Sequence, residues 1–294
     1  MRKHLIFISV TLIVLTAIAG CGLHSVQRTA IDDFAASTSA VGKITSDEVL
    51  SMRNETINMN RNTLILAGPD QNLPRLVDLD GTFKPNITLA MVKAVNALKT
   101  YGESLESFSK ATQQDELQKA AGNLSTSLNG LPEKYKLTAD EQGAIGKIIT
   151  AGGNMIVGEM KEHYIKNIVP TCKEPLNRLA NLMINDFDEN YPGSIAQVFL
   201  AYSVRSSTYA SRVFDQCKEM SCREKAITSF EGANANVVRT ETVYPEIRKS
   251  LKEMIKAHEA LAAALESNKL SQADVKDFSK SIKNLADAIK VFAK

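Results

Sequence analysis

Cysteine offers this chain its most definite covalent chemistry, and it has four: Cys21, Cys172, Cys217 and Cys222. Cys217 and Cys222 enclose Lys-Glu-Met-Ser, five positions apart. On one continuous helix their Cα atoms would lie beyond the roughly 7 Å that a disulfide can span. At a helix–turn–helix corner they could pair, and that is the favoured disulfide. A bridge from Cys172 to either one is the alternative. Either pairing leaves one thiol of these three over. A nucleophilic Cys needs a histidine neighbour, and the sequence places none beside any of them.

The other chemistry-bearing residues are scattered. His24, His163 and His258 stand singly on separate stretches. His163 follows Glu159 by four, a spacing that puts the two on one helix face as a surface pair. There is no His-Glu-x-x-His and no paired Cys-x-x-Cys or Cys/His spacing, so no metal site is expected. Asp186-Phe-Asp188-Glu189-Asn190 and Asp78-Leu-Asp80-Gly81 resemble calcium-loop fragments, but neither keeps the full ligand alternation. They read as solvated turns. No Gly-x-Ser-x-Gly elbow, Walker loop or dinucleotide-binding glycine motif occurs. Tyr202 and Tyr209, with Tyr191 nearby, could line a groove, although aromatic residues at this spacing usually belong to a core. The expectation is a non-enzymatic protein with no cofactor.

The first residues carry a different signal. Met1-Arg2-Lys3-His4 is basic, and Leu5 to Ile18 is an apolar run shorter than the roughly 20 residues of a membrane span. It suits the hydrophobic region of a signal peptide. Ile18-Ala19-Gly20-Cys21 follows: a branched apolar residue, two small residues, then cysteine. This leader resembles that of bacterial lipoproteins, and the resemblance stops there. It implies cleavage before Cys21 and lipid on the Cys21 thiol, with acyl chains as the membrane anchor. Gly22 differs from the Asp that signals inner-membrane retention in Gram-negative lipoproteins. An outer-membrane protein facing the periplasm is therefore expected in such a cell.

Composition reads as that of a globular protein with a real core. Lys plus Arg number 35 and Asp plus Glu 33, and the loss of Arg2 and Lys3 with a leader would bring the two to parity. That balance lacks the basic footprint of a nucleic-acid binder. A hydrophobic fraction of 44% with 23% charged residues also argues against disorder.

The elements that must position these residues read as helices throughout, with alternating strand patterns nearly absent. The eight prolines are expected between helices. A first helix starts near Ser25, with Gly42 as its left-handed cap and Thr45 to Glu48 as the capping box of a second. A continuous helix of about 40 residues is the alternative. Residues 67–85 form a long loop with room for a strand pair near Val77 and Phe83. Met91, Ala94, Leu98, Tyr101, Leu105, Phe108 and Thr112 form a heptad-like seam. Leu117, Ala121, Leu124 and Leu128 mark a shorter helix. Thr138 to Glu141 is a capping box that opens a helix carrying Gly143, Gly146, Gly152, Gly153 and Gly158. Close approach of another backbone is the favoured reason for so many glycines, and a hinge the other. Ile227, Phe230 and Val237 are expected on one further helix, Pro245 at the start of another, and Ser271 to Asp274 as the last cap.

The expected fold is all-α, an elongated bundle of seven to nine helices. Its organisation is read as a signal peptide over 1–20, a lipidated helical region over 21–132 and a C-terminal bundle over 133–294. The expected function is a membrane-anchored binding or accessory protein with an envelope protein as partner. An immunity or exclusion lipoprotein that blocks a toxin, and a lipid or small-ligand binder, are the alternatives. An enzyme is the competing class.

Overall fold

A computed structural model describes residues 25–67, 78–267 and 272–292. Cys21 and the whole leader lie outside them, as do Val77 and Ser271. The described residues form nine α-helices and no strand: α1 (Ser25–Ala67), α2 (Pro85–Lys110), α3 (Gln114–Asn129), α4 (Ala139–Gly152), α5 (Val157–Thr171), α6 (Lys173–Asp186), α7 (Ile195–Gln216), α8 (Met220–Ser267) and α9 (Gln272–Lys290). A 3₁₀ turn at Glu133–Tyr135 joins α3 to α4. The protein is an all-α multi-helix bundle.

Two long helices run antiparallel along the bundle. Gln27 Nε2 donates to the Ala264 carbonyl at 3.2 Å. Further along, Arg239 holds Glu48 in a two-pronged ion pair at 2.8 and 2.5 Å. Asn62, Ile65 and Leu66 then line a cleft with Ser221 to Ser229. The paired numbers fall on one helix as they rise on the other, so α1 and α8 stay side by side over nearly all of α1. Its 43 residues reach roughly 65 Å at the helical rise.

The expected break at Gly42 does not occur. Gly42 keeps a helical backbone and serves contact instead: a Cβ there would lie 2.7 Å from the Lys99 amide nitrogen of α2. Gly102 on α2 returns the arrangement, since a Cβ there would lie 2.6 Å from the Ala35 carbonyl of α1. Two glycines therefore let these backbones approach closely. The Thr45–Glu48 capping box is likewise absent. Both residues are buried inside α1, and Glu48 faces Arg239.

Pro245 is another correction. It lies within α8 rather than at its start. Its nitrogen cannot donate to the Glu241 carbonyl, a local loss in any helix. Val243, Tyr244, Ile247 and Leu251 are fully buried on either side, so packing holds the helix through the defect. Pro170 sits in the last turn of α5. Pro175 sits in the first turn of α6, where the missing N–H has no helical partner to lose.

The glycine-rich stretch also differs from expectation. It spans two helices, α4 and α5. Nothing stands within 4 Å of a Cβ at Gly143, Gly146 or Gly158. Gly152 alone is crowded, and its neighbour is the Tyr164 ring rather than a backbone. The Thr138 capping box is present in both limbs.

Residues 78–84 form a turn with Gly81 at φ +54°, and Phe83 is buried. Arg53 Nε donates to the Phe83 carbonyl and Asn60 Nδ2 to the Leu79 carbonyl, so this end of the loop is a packed connection against α1. The heptad-like seam of α2 is buried from Met91 to Phe108, whereas Thr112 is exposed beyond its end. One core runs from Ala30 to Leu285 and includes helices from both sides of residue 132.

Candidate interaction surface

At the end of the bundle where α1 finishes, α7 turns back into α8. Residues 217–219 make the corner, and Cys217 and Cys222 stand at disulfide distance across it with Cα atoms 5.7 Å apart. Arg223 braces the same corner. Its Nε donates to the Cys217 carbonyl at 3.0 Å, and its guanidinium lies 5.4 Å from the centre of the Phe214 ring. Cys172 is the cysteine left over. It is fully buried, and that burial pushes its thiol up to about 12, well away from the reactive thiolate form.

The corner fixes how the two helices present their outer faces. The inner face of α8 is built from Ala226, Ser229, Ala233, Asn236 and Thr240, all buried. Those small side chains draw α8 close to its neighbours and turn its large apolar residues outward. Ile227 and Phe230 are 44% and 42% exposed. With Phe214 and Ser211 of α7 they line an open groove of about 270 Å³, floored by Ala210 and Ala226. Val204 and Val238 are also exposed on these two helices, and Met220 at the corner is exposed. The far side of this end has the cleft of about 350 Å³ between α1 and α8, where Ile65 is 56% exposed. Ile65, Met220, Ile227 and Phe230 thus present exposed apolar side chains at this end, and contiguous apolar patches of this kind mark interaction sites.

The remaining candidates are absorbed into structure. His258 is buried beside Phe34, and its Nε2 lies 2.7 Å from the Tyr101 hydroxyl. Burial lowers its pKa to about 3, so it stays neutral in the fold. Glu159 is not the partner of His163, whose Nε2 meets the Ile148 carbonyl at 3.0 Å while Asn167 approaches Nδ1. Asp186 accepts from Lys134 and Tyr135. Asp188 and Glu189 engage Arg248, and Asp80 pairs with Arg53. These contacts use the carboxylates of both calcium-like fragments except Asp78. Among the described residues no three metal-ligating side chains converge. Tyr202 packs its hydroxyl toward Gly81, Tyr209 is half-buried, and Tyr191 is exposed elsewhere, so the three tyrosines do not form one groove.

The chain matches no family model, no curated protein and no solved structure. No described helix is long and apolar enough to cross a membrane. The sequence pattern missed the groove because Ile227, Phe230 and Val237 keep a core-like spacing. The available signal was the parallel stripe of Ala226, Ser229 and Ala233, one position behind.

Proposed function

We propose that the protein is a lipid-anchored, envelope-facing helical lipoprotein that is held to a membrane through Cys21. It works without catalysis, by binding another envelope protein at the α7–α8 groove. The observation that carries this reading is the exposed Phe214–Ile227–Phe230 groove at the end of α1 opposite Ser25. Cys21 precedes Ser25 by four residues, so an anchor there and the groove would stand at opposite ends of a helix roughly 65 Å long. The Cys217–Cys222 pair supports an oxidising compartment outside the cytoplasm.

The test is in-cell photo-cross-linking from a tagged full chain carrying the photoreactive group at position 211, beside Phe214. One dominant protein adduct is expected, and Phe230→Glu should abolish it. The identity of that protein separates an assembly accessory from an immunity factor. No adduct above that seen with the Cys21→Ala control would overturn the reading.

A further inference from the structure

We propose that a cleft at the Ser25 end of the bundle binds the phosphate of an anionic phospholipid headgroup. The proposal rests on the reading of Cys21 as the lipid-bearing residue. The cleft holds about 360 Å³ between the first turn of α1, the end of α2 and the start of α5. Half-buried Val157, backed by the fully buried Phe108 and Ile165, gives it an apolar side, and Arg28 and Lys161 contribute two cations.

The charge balance within the cleft favours an anion. Arg28 is exposed and makes no hydrogen bond or ion pair among the described residues. Lys161 Nζ donates to the Ala111 carbonyl at 2.9 Å, which holds the ammonium at the cleft edge without neutralising it. Glu162 is the one acid in the lining, and its carboxylate is already paired with Lys166. Asp32 lies one turn deeper on α1 and does not line the cleft. Two cations outside any ion pair, beside the apolar side chain of Val157, match a phosphodiester attached to glycerol carbons. The phosphate oxygens would accept from Arg28 and Lys161, and the glycerol carbons would rest on the half-buried Val157.

Position selects the source of that phosphate. Four residues of chain reach at most about 14 Å. An acylated Cys21 therefore keeps Ser25, and Arg28 one turn further on, close to the lipid headgroups. Two apolar side chains at this end face outward: Val26 is 47% exposed, and Ile156, just before α5, is 69% exposed. A free aqueous anion would have no use for them, whereas a bilayer interface would.

Native mass spectrometry of the detergent-purified full chain tests the proposal, by titration with dihexanoyl phosphatidylglycerol, dihexanoyl phosphatidylcholine and inorganic phosphate. One phosphatidylglycerol should bind per chain, with affinity at least about tenfold above phosphatidylcholine. Arg28→Glu with Lys161→Gln should remove that preference while the folded charge-state distribution is kept. Arg28→Gln alone serves if the double variant unfolds, and should weaken binding severalfold. No phosphatidylglycerol binding, or binding indifferent to these substitutions, overturns the proposal. Equal competition by inorganic phosphate overturns the lipid assignment. The mass of the peptide beginning at Cys21, read from the same sample, reports the anchor independently. A missing diacylglyceryl group would sink the anchor reading, whereas an acylated Cys21 with no lipid in the cleft would sink only this proposal.

Discussion

The Tyr101 hydroxyl and His258 Nε2 meet at 2.7 Å in the fully buried core and join α2 to α8 across 157 residues of sequence. The other ring nitrogen of His258 has no hydrogen-bond partner. One polar contact therefore satisfies the Tyr101 hydroxyl but only half of the imidazole.

Removing that contact should be costly. Tyr101→Phe leaves both ring nitrogens unpaired in the core, and a buried orphan costs about 1–3 kcal/mol. The midpoint of urea unfolding should fall accordingly at pH 7.5. An unchanged midpoint would mean that the imidazole finds another partner.

His258 also makes stability depend on pH. Its folded pKa of about 3 lies below the ordinary value near 6.5, so between these the unfolded chain binds the extra proton. The contribution is fully present above about pH 6.5 and is lost progressively as pH falls toward 3. Unfolding free energies measured from pH 7 to 5 should decline less steeply in His258→Gln than in the unaltered protein.

Glycines in this fold should respond with opposite signs. Gly102→Ala drives a methyl group against the Ala35 carbonyl at 2.6 Å and forces α1 and α2 apart. A loss of about 1–3 kcal/mol or more is expected from such overpacking. Gly143→Ala meets open space inside α4 and should stabilise by up to about 1 kcal/mol. Thermal unfolding of both variants reads the contrast directly.

Glu48 and Arg239 form the most deeply buried ion pair between the two longest helices. Burial raises the Glu48 pKa despite its Arg239 partner. Glu48→Ala strands the Arg239 guanidinium and should cost about 3–5 kcal/mol. Adding Arg239→Met should recover much of that loss, and a double-mutant cycle in urea measures the coupling.

The acid side has a second contributor at the α4 cap. Arg178 grips Glu141 with two hydrogen bonds, and Thr138 adds the cap, which together lower the Glu141 pKa to about 2. Its stabilisation is present above about pH 4.5 and is lost as pH falls toward 2. Thr138→Ala should cost about 1 kcal/mol at neutral pH. Glu141→Gln should flatten the unfolding profile in that acid window.

Much of this architecture could be read from residue order. The α2 seam from Met91 to Phe108, the α3 face and the Thr138 cap follow local periodicity and capping, which depend on neighbours within a turn or two. The α7–α8 corner was legible because a short cysteine spacing admits few geometries. What stayed hidden depends on partners far along the chain. Gly42 looks like a helix end until Lys99 of α2 is set against it. Thr45 and Glu48 look like a cap until Arg239 supplies the opposite charge. Pro245 looks like a start because its tolerance comes from buried neighbours on other helices. The groove was obscured for the same reason, since spacing identifies a stripe but not the side of the helix that carries the closer neighbour.

The antiparallel register of α1 and α8 sets an order of events in assembly. Gln27 and Ala264 are bonded across 237 positions, so a ribosome makes α1 long before the surface that covers it. A chain interrupted before residue 220 would lack α8 and α9 and would leave Phe34 without His258 and Glu48 without Arg239. Contacts this distant in sequence slow folding and lengthen the exposure of apolar surface. Newly made protein should therefore depend on holding factors until its last quarter has emerged, and C-terminal truncations should be degraded rather than accumulate as smaller folded bundles.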